Sequence, residues 1–476
     1  MYMRINGAEV PSASAGWRDV LNPATGEVID NVPDGTPEDV RGAVESAESA
    51  CRKWSEKTMR ERGVLLFHAA SRVRDDHKRL ARLLTMEQGK PLREATDEVR
   101  GFCNILEFYA GLSSQPAGDA VHLGSQGDCM VVHEPLGVCG AIIPWNMPVL
   151  IMGWKTAPAL LAGNTMVMKP SSTAPLTVLS ISKILEEAGL PPGVLNIVTG
   201  SGGSAGEAII THPSVQKVSF TGSCATGCRI RELAGSRSRD LVLELGGSDP
   251  MIVMNDADVP KAVEGALRGR FYNAGQVCTA VKRLFVHKDI AESFIRQLKG
   301  RVESLQVGNG LDPHVEMGPL NNRQQYDALS GIMKSVSENG EGTILTGGSP
   351  LKGGGYDKGY FFGPTLVGDV ADDSSLLTGE IFGPILPIVV FPDLDNAISQ
   401  ANLSPYGLGA SVWTSDLGTV KRVFQDVHAG IVWVNRHVTV PPEIPFGGTK
   451  ESGTGRENGY RALQGYTRTK TLFLGW

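Results

Sequence analysis

Two residues of the sequence are candidates for covalent and acid–base chemistry. Cys278 ends the segment 273–278 (Asn-Ala-Gly-Gln-Val-Cys), whose small residues could present the thiol to a cleft, and a thiolate is a good nucleophile. Glu244 ends an apolar run, where burial would raise the pKa of its carboxyl towards that of a general base. Each has a simpler interpretation, because most cysteines are small buried hydrophobes and a strand-end acid often faces water. No histidine partner for Cys278 is evident in the sequence, so a protease-type dyad is not supported.

A glycine turn between a predicted strand and a predicted helix is the third candidate feature. The segment 220–223 (Phe-Thr-Gly-Ser) closes an apolar run at 215–220, and a helical segment follows at 226–234. Such a unit could place a pyrophosphate at the helix N-terminus. The spacing Gly-Ser-x-x-x-Gly departs from the usual dinucleotide fingerprint, so a purely structural turn is the alternative.

Short apolar runs alternate with helix-length segments such as 175–188, which is typical of parallel sheets covered by helices. The predicted strands of a first series are 138–143, 165–169, 194–198, 215–220 and 241–245. Those of a second series are 251–254, 283–287, 385–391, 410–413 and 431–435. Because one core rarely grows beyond about 250 to 300 residues, we expect a nucleotide-binding α/β domain and a second α/β domain.

Helical patterns dominate the N-terminal part of the chain. Thr36-Pro37-Glu38-Asp39 indicates an N-cap followed by a proline and early acids. The stretch 60–84 is predicted to be one amphipathic helix. Its inward side chains would be Val64, Leu65, Ala69, Val73 and Leu80. Farther along, the glycine- and proline-rich region 347–364 predicts a surface loop or hairpin.

Composition favours a small-molecule partner. The chain has 45 Lys+Arg against 51 Asp+Glu, and a net charge of −6 gives no electrostatic reason to bind nucleic acid or an anionic membrane. No stretch predicts a signal core or a membrane span, and 7 irregularly spaced cysteines fit a reducing cytoplasm better than a disulfide framework. Cys224 and Cys228 have no second Cys/His pair nearby, so no metal site is expected.

Seven segments, in order along essentially the whole chain, resemble the signature segments of the aldehyde dehydrogenase superfamily. They are 144–148 (Pro-Trp-Asn-Met-Pro), 163–165 with 169–171 (Gly-Asn-Thr and Lys-Pro-Ser), 220–223 (Phe-Thr-Gly-Ser), 244–247 (Glu-Leu-Gly-Gly), 275–278 (Gly-Gln-Val-Cys), 380–384 (Glu-Ile-Phe-Gly-Pro) and 445–448 (Pro-Phe-Gly-Gly). So many ordered matches make coincidence implausible, and the simpler interpretations of the isolated residues no longer apply independently.

The resemblance implies an α/β fold with three parts. They are a Rossmann-like cofactor domain (1–112 and 134–246), an α/β catalytic domain (247–458) and a small β bridging or oligomerisation element (113–133 and 459–476). In that element, the segment 463–476 would be a strand running through Tyr466, Thr469 and Leu472. An exposed strand of this kind needs a partner edge, so a homodimer or homotetramer is expected.

The resemblance also implies a role for each catalytic candidate. Cys278 would attack the aldehyde, and the side-chain amide of Asn146 and the Cys278 N–H would hold the resulting oxyanion. After hydride transfer to NAD(P), Glu244 would activate the water that hydrolyses the thioester to a carboxylic acid. Lys155 and Glu457 match positions proposed to relay that proton outward; a surface lysine and a helix acid are the alternative.

For the cofactor, the resemblance makes Ser223 the pyrophosphate contact and Lys169 the adenosine-ribose contact. Glu380 and Phe382 would clamp the nicotinamide ribose. The other cofactor candidates are Ile142, Pro144, Trp145, Ser171, Gly202, Gly206, Phe220, Thr221, Gly222, Leu245 and Gly246. NAD-selective members commonly have a glutamate where this chain has Ser172. A glutamate would repel a 2′-phosphate, whereas Ser172 beside Lys169 would accept one, so we expect NADP to be used and favoured over NAD.

The substrate is implied less closely. Met147, Trp154, Tyr272 and Phe446 would line an apolar tunnel. Members selective for succinate semialdehyde often have an arginine at the position of Trp154, so an aromatic residue there favours a neutral aldehyde. The run 244–250 is similar to members described for lactaldehyde, glyceraldehyde or semialdehydes, and small hydroxy-aldehydes or short aliphatic aldehydes rank first. Arg436 and His437 would either add polarity near the tunnel mouth or lie in a solvated loop.

Other functions remain open. They are a succinate semialdehyde-type dehydrogenase, a CoA-acylating dehydrogenase and a non-catalytic nucleotide-binding protein that kept the fold. CoA-acylating members typically lack the carboxylate that Glu244 supplies, and Cys278, Glu244 and Asn146 together argue against lost turnover. Reduction of an acid to an aldehyde is unfavourable without an activated substrate.

Overall fold

The computed structural model describes residues 1–115, 118–235 and 239–475. Its strands are β1 (Met3–Ile5), β2 (Ala8–Val10), β3 (Trp17–Leu21), β4 (Val28–Pro33), β5 (Gly118–His122), β6 (Asp128–Pro135), β7 (Val138–Ile142), β8 (Thr165–Lys169), β9 (Leu195–Ile197), β10 (Val215–Thr221), β11 (Asp240–Glu244), β12 (Asp249–Val253), β13 (Val281–His287), β14 (Thr343–Thr346), β15 (Thr365–Gly368), β16 (Ile385–Phe391), β17 (Tyr406–Gly407), β18 (Gly409–Trp413), β19 (Ile431–Val434), β20 (Thr449–Lys450), β21 (Gly453–Thr454) and β22 (Thr467–Leu474).

The helices cover the faces of the sheets formed by these strands. They are α1 (Pro37–Ser55), α2 (Met59–Asp75), α3 (His77–Gln88), α4 (Leu92–Leu112), α5 (Pro148–Leu161), α6 (Leu176–Glu187), α7 (Glu207–Thr211), α8 (Cys224–Ala234), α9 (Val259–Phe271), α10 (Ala291–Glu303), α11 (Arg323–Asn339), α12 (Ser375–Thr378), α13 (Leu394–Leu403), α14 (Leu417–Asp426) and α15 (Gly459–Gln464). Within residues 1–115, 118–235 and 239–475, no helix has the length and apolar character needed to cross a bilayer.

The N-terminal helices confirm one prediction and correct another. Helix α1 starts as predicted, because the Thr36 hydroxyl accepts the Asp39 N–H and the Asp39 carboxylate accepts the Thr36 N–H. The single helix predicted at 60–84 is wrong, since the backbone leaves the helical region at Asp76, which separates α2 from α3. Aspartate suits a helix end better than a helix interior. Val64 is exposed and Leu65 is only partly buried, because α2 turns Leu66, Ala69 and Val73 inward instead.

The largest sheet places the ends of its parallel strands along one edge. Its order is β2-β1-β9-β8-β7-β10-β11-β21, and the strands from β9 to β11 run parallel. Each predicted strand of the first series is confirmed to within one residue at either end. Strands buried on both faces read as continuous apolar runs, which is why the sequence located them. Four of them end at Ile142, Lys169, Thr221 and Glu244, the edge where α/β proteins bind ligands.

A segment from the far end of the chain completes this sheet. Strand β21 pairs antiparallel with β11, so that Glu244 lies opposite Gly453. The flanking residues Phe446 and Glu457 form a bridge with each other. This return of the chain brings the neighbourhood of Glu457 to the end of β11, although the sequence grouped 247–458 with the second domain.

The second sheet has the order β14-β15-β16-β13-β12-β18-β19. The predicted strands of the second series are confirmed to within two residues at either end. Strands β14 and β15 were not predicted; they form an antiparallel pair, and the predicted loop at 347–364 connects them. With its two large sheets and their covering helices, the chain has the predicted α/β fold.

A third sheet of three strands, in the order β22-β6-β5, corresponds to the predicted bridging element. The C-terminal strand starts later than predicted, because Leu463 belongs to α15 and Tyr466 is buried in the turn before β22. Strand β22 is exposed along almost its whole length. Pro116, Ala117 and Trp476 of the predicted element lie outside the described residues.

Candidate active site

Two cavities meet at Cys278. One, here called the aromatic cavity, has a volume of about 160 Å³. The other, here called the helix-end cavity, has a volume of about 270 Å³ and reaches the N-terminus of α8. Cys278 lies in the walls of both. A nucleophile at this junction can touch a molecule in either cavity.

The loop that carries Cys278 has an unusual backbone. Asn273 and Ala274 both adopt left-handed conformations, with φ of 51° and 52°, and Gly275 follows with φ of 72°. A side chain at Gly275 would collide with the Gly383 carbonyl, so only glycine fits. Burial raises the pKa of the Cys278 thiol to about 12, and the nearby Lys282 ammonium opposes this effect. The thiol is therefore protonated at neutral pH until a base or a bound partner favours the thiolate.

Asn146 lies beside this loop, and one of its two side-chain amide hydrogens has no acceptor among the described residues. Its Nδ2 donates to the Gln276 carbonyl at 3.0 Å, which uses one of two amide hydrogens. The Cys278 N–H has no acceptor among the described residues. Two neighbouring donors thus remain available for an oxygen atom bound close to the Cys278 sulfur.

Glu244 is buried at the end of β11 and lacks hydrogen-bond partners. Its side chain is 2 % exposed, and neither carboxylate oxygen has a partner among the described residues. Burial raises its pKa well above the ordinary value, and the negative charge of Glu457 raises it further. The predicted direction of this shift is confirmed. Glu244 is not among the residues that line the two cavities. Its carboxylate lies close to Gly447, since a Cβ added to that glycine would be only 2.7 Å from Glu244 Oε1.

Lys155 and Glu457 form a buried ion pair next to Glu244. The Lys155 ammonium also donates to the Ser219 hydroxyl at 2.9 Å, and that hydroxyl donates to Glu457. The Lys155 side chain is 0 % exposed and that of Glu457 is 3 % exposed. Glu457 precedes α15 and is not part of that helix. The alternative interpretation as a surface lysine and a helix acid is therefore wrong.

The helix-end cavity gathers most of the residues predicted to bind the cofactor. Ser223 is the N-cap of α8, and its hydroxyl accepts the Thr226 N–H. The Thr221 hydroxyl is buried in the cavity wall and has no partner among the described residues. The other predicted residues in this wall are Pro144, Trp145, Gly222, Leu245, Gly246, Glu380 and Phe382. A helix N-terminus with free N–H groups, next to an unpartnered hydroxyl, suits the pyrophosphate of a dinucleotide.

Glu380 and Phe382 close the helix-end cavity opposite the glycine turn. Glu380 Oε1 accepts the Gly247 N–H at 3.2 Å, and the Phe382 ring stands edge-on to Trp145 with centroids 5.5 Å apart. A side chain at Gly246 would collide with the Glu380 carboxylate. Phe220 is not in the wall; its ring packs directly beneath Gly222 in the core.

Lys169 and Ser172 converge on one carbonyl oxygen. The Lys169 ammonium donates to Gly200 O at 3.2 Å, and the Ser172 hydroxyl donates to the same atom at 3.1 Å. A Cβ added to Gly206 would meet the Lys169 stem and the Ile142 side chain at ordinary van der Waals distance. Burial lowers the pKa of Lys169 to about 8, which an added anion would reverse. Of the remaining candidates, Gly202 starts a short helical turn, and Ser171 contacts the Thr173 hydroxyl.

The aromatic cavity contains all four residues predicted to line a substrate tunnel. They are Met147, Trp154, Tyr272 and Phe446, with the rings of Trp154 and Phe446 4.9 Å apart. The charged residues Asp97, Glu98 and Arg268 also line it, and the sequence did not single them out. Asp97 and Arg268 also line a larger adjoining cavity of about 410 Å³.

The loop after β19 is exposed to solvent at one of its two candidate residues and buried at the other. Arg436 is exposed, but His437 is buried, with Nδ1 2.8 Å from Ser411 Oγ and Nε2 2.9 Å from the Thr279 carbonyl. Burial lowers the pKa of His437 to about 3, so this imidazole stays neutral. The solvated interpretation is therefore wrong for His437, which ties the loop to the residue after Cys278.

Lys282 was also missed by sequence reasoning. Its buried ammonium donates to the carbonyls of Val277 at 3.0 Å and Cys278 at 2.5 Å, and lies 3.8 Å from Glu380 Oε1. The adjacent Lys282 and Arg283 in the otherwise mostly apolar strand β13 were the signal that could have found it, because lysine and arginine are rarely fully buried without a partner.

Comparison with known proteins agrees with this geometry. The model of the aldehyde dehydrogenase family matches residues 10–472. The chain is 40% identical over 472 residues to a betaine aldehyde dehydrogenase from Brucella anthropi, covering 99% of this chain and 96% of that protein. A betaine aldehyde dehydrogenase from Staphylococcus aureus in complex with NAD+ has a TM-score of 0.97 at 35% identity, covering 100% of this chain and 95% of that chain.

A further solved structure, PnpE in complex with nicotinamide adenine dinucleotide, has a TM-score of 0.98 at 35% identity. It covers 100% of this chain and 97% of that chain. The fold, the cavity at a helix N-terminus and the family match over nearly the whole chain point the same way. The chain belongs to the aldehyde dehydrogenase family and is an NAD(P)-dependent aldehyde dehydrogenase.

Proposed function

We propose that this enzyme oxidises a small aldehyde to a free carboxylic acid through a covalent Cys278 intermediate. The observation that carries the proposal is the position of Cys278 at the junction of the two cavities, with Asn146 beside it and the buried Glu244 nearby. The aldehyde occupies the aromatic cavity and NAD(P) the helix-end cavity. Ser223, Lys169 and Glu380 are the residues we expect to hold the cofactor.

The first half of the reaction forms and then oxidises a thiohemiacetal. The Cys278 sulfur bonds to the aldehyde carbon as its thiol proton is released to solvent water, and the carbonyl π electrons move to the oxygen, which becomes an oxyanion. The second amide hydrogen of Asn146 and the Cys278 N–H donate to that oxyanion. NAD(P), when bound in the helix-end cavity, would supply the acceptor for the hydride of the former aldehyde carbon. Cys278 is then left as a thioester.

The second half of the reaction needs a base. Glu244 removes a proton from water, the hydroxide adds to the thioester carbon, and the carbon–sulfur bond breaks to give the carboxylic acid and the Cys278 thiolate. A carboxylate with a raised pKa suits this step, because it binds the proton at neutral pH. The adjacent Lys155–Glu457 pair provides a buried polar route by which the proton leaves.

Product analysis distinguishes this proposal from its nearest rival. With a short aliphatic aldehyde and NAD(P), we expect free acid to form at the same rate with and without coenzyme A. Formation of acyl-CoA with no free acid would instead identify a CoA-acylating enzyme. No aldehyde-dependent reduction of NAD(P) with any aldehyde of a broad panel would contradict the proposed reaction.

Small hydroxy-aldehydes and short aliphatic aldehydes are the substrates we favour. A volume of about 160 Å³ with largely apolar walls accommodates a short chain. By the resemblance stated above, Trp154 stands where members selective for succinate semialdehyde often have an arginine. Arg268 lies in the same wall, so succinate semialdehyde belongs in the test panel. A kcat/KM higher for succinate semialdehyde than for propanal and glycolaldehyde would reject our preference.

A quaternary ammonium aldehyde is a second candidate. The Trp154 and Phe446 rings lie 4.9 Å apart, and Asp97 shares their cavity. Aromatic faces with a nearby carboxylate attract quaternary ammonium groups through cation–π and charge interactions. Two of the relatives above are named betaine aldehyde dehydrogenases. A kcat/KM for betaine aldehyde above that for uncharged aldehydes of similar size would favour this candidate.

Replacing Ser172 by glutamate should shift the enzyme away from NADP. We propose that NADP is used in preference to NAD, because Ser172 and Lys169 donate to the same Gly200 carbonyl, so that a hydroxyl rather than an acid lies beside the lysine. A glutamate would repel that phosphate, so we expect kcat/KM for NADP to fall by about tenfold or more, roughly 1.4 kcal/mol. Parallel assays with both cofactors measure the ratio. The exposed Ser49→Glu variant is the control, and an unchanged ratio in Ser172→Glu would contradict the role of Ser172.

Replacing Glu457 by glutamine should move the acid limb of the pH profile. Burial and the Glu457 charge both raise the pKa of Glu244, and Lys155 lowers it. Without the Glu457 charge, the Glu244 pKa falls and the active carboxylate persists to lower pH. We therefore expect the acid limb of kcat to shift to lower pH, whatever happens to its plateau. A shift to higher pH would contradict the coupling; the exposed Glu451→Gln variant should keep the wild-type profile.

We also propose the domain division stated for the sequence and assembly through the third sheet. Strand β22 and its neighbours expose Val121, Met130, Leu472 and Phe473. Exposed apolar strands favour pairing with a second copy, which makes a homodimer or homotetramer the expected form.

A further inference from the structure

We propose that the buried ion pair Lys90–Glu98 positions Asn146 for oxyanion stabilisation, an inference that rests on the oxyanion role proposed above. Both side chains are 0 % exposed, and Lys90 Nζ lies 2.5 Å from Glu98 Oε2. Lys90 precedes α4 and Glu98 lies within it. Removing two charges from water is costly, and a buried pair is weak evidence of a stabilising role. The contacts of this pair point to a different role.

All three hydrogens of the Lys90 ammonium are engaged. One goes to Glu98, one to the Asn146 carbonyl at 2.8 Å and one to the Met147 sulfur at 3.1 Å. An ammonium has three N–H donors, and each of those on Lys90 has an acceptor, so the orientation of the ammonium is fixed. Two of these three acceptors belong to Asn146, the residue proposed to hold the oxyanion, and to Met147, which follows it.

Glu98 secures the other side of the same loop. Its Oε1 accepts the N–H groups of Val149 at 2.8 Å and Leu150 at 3.1 Å, in the first turn of α5. The N-cap residue of α5, Met147, makes no capping hydrogen bond with its own side chain. A carboxylate at this end also interacts favourably with the helix dipole. Glu98 therefore caps the helix that follows Asn146, and Lys90 links that cap to the Asn146 carbonyl.

The nucleophile loop holds Asn146 from the opposite direction. Asn273 Nδ2 donates to the Asn146 carbonyl at 2.9 Å, so this oxygen has two donors. The Asn146 side chain donates to Gln276 O at 3.0 Å, which leaves its second hydrogen directed by a fixed backbone. Preorganised donors lose much of their effect when displaced, and a shift of about 1 Å can cost about 10²-fold in rate.

The test is a variant that removes both charges, Lys90→Met with Glu98→Gln, so that no buried charge is left unpaired. We expect kcat/KM for the aldehyde to fall by about 10- to 10²-fold. Cofactor affinity should stay unchanged, because neither residue lines the helix-end cavity. Alkylation of Cys278 by iodoacetamide should also stay unchanged, because that reaction forms no oxyanion. An equal loss in alkylation rate would overturn the proposal in favour of a general disturbance of the site.

A double-mutant cycle with Asn146→Ala separates this inference from the function on which it rests. Asn146→Ala alone should lower kcat/KM by on the order of 10²-fold. If the ion pair acts through Asn146, adding the two neutralising substitutions should cause no further loss. Multiplicative losses would mean that Glu98, which also lines the aromatic cavity, acts on the aldehyde independently of Asn146, and they would overturn the positioning role while leaving the oxyanion role intact. An Asn146→Ala enzyme with wild-type rates would instead overturn the oxyanion role itself, and the inference with it.

A second variant and a matched control keep the test decisive. If the doubly neutral enzyme does not fold, Lys90→Gln with Glu98→Gln enters the same cycle, because it also leaves no buried charge unpaired and keeps an amide donor beside the Asn146 carbonyl; a smaller loss is expected. Glu87 is the control, because it caps α6 in the same way, accepting the N–H groups of Leu176 at 2.7 Å and Thr177 at 2.8 Å. Glu87→Gln should leave aldehyde kcat/KM unchanged. A loss equal to that of the doubly neutral enzyme would mean that any buried helix cap matters alike, which would overturn the proposal.

Discussion

Replacing Cys278 by alanine is expected to lower aldehyde-dependent formation of reduced nicotinamide by about four orders of magnitude or more. Without the sulfur no thiohemiacetal forms, and the hydride donor that the reaction requires never arises. The methyl group leaves the two cavities otherwise intact, so cofactor affinity should change little. Steady-state assays and a fluorescence titration with NAD(P) measure the two quantities separately.

Cys129→Ala is the matched control for this prediction. Cys129 is half-buried like Cys278, but it lies in β6 of the third sheet, where its register partners are Val121 and Phe473. The control should retain wild-type turnover. Unchanged turnover in Cys278→Ala would contradict the nucleophile assignment and would require another residue at the junction of the cavities to attack the aldehyde.

Replacing Glu244 by glutamine should stop the enzyme after its first turnover. Glutamine matches the size of glutamate but cannot take a proton from water, so we expect steady-state kcat to fall by about 10³-fold. Attack by Cys278 and the oxidation step do not need this base. Rapid-mixing experiments should therefore show a burst of reduced nicotinamide equal to the active-site concentration, followed by a very slow phase. Intact-mass measurement should find the acyl group on Cys278.

The wild-type pH profile provides a second measure of the same role. Burial, followed by the charge of Glu457, raises the pKa of Glu244, so the active carboxylate is lost as pH falls through that raised value. The rate of thioester hydrolysis should fall with it. Glu87→Gln again serves as the control and should keep the wild-type pH profile. Burial raises the pKa of Glu87 to about 7, but this carboxylate lies against α6.

In the rapid-mixing experiment, loss of the burst in Glu244→Gln would contradict the proposed order, because it would place the action of Glu244 before formation of the thioester rather than after it.

Much of the fold could be predicted because its elements leave local patterns. Strands buried on both faces read as apolar runs, and those at 138–143 and 165–169 differ from β7 and β8 by at most one residue. The capping box at Thr36 is equally local. The break at Asp76 and the strand at Gly453–Thr454 were missed, because a short break or a two-residue strand depends on what packs against it.

The site shows the same division. The order of motifs along the chain singled out Cys278, Glu244 and Asn146, and the structure places them near one another. The Lys90–Glu98 pair left no such signal, because 56 residues separate Lys90 from Asn146. A lysine after Gly89 and a glutamate in an amphipathic helix read as ordinary surface residues. Only the packing of α4 against α5 makes them a buried network.

By itself, the sequence determined the residue types available for chemistry, the elements that carry them and the presence of Ser172 rather than an acid near Lys169. These properties follow from side-chain chemistry and from periodicity over neighbouring residues. The tertiary structure decided which groups are buried and which charges face each other. It raised the pKa of Glu244 by burial and by returning the chain at β21 to bring Glu457 close. Desolvation and Coulomb interactions depend on contacts between distant segments, so no local pattern could have set them.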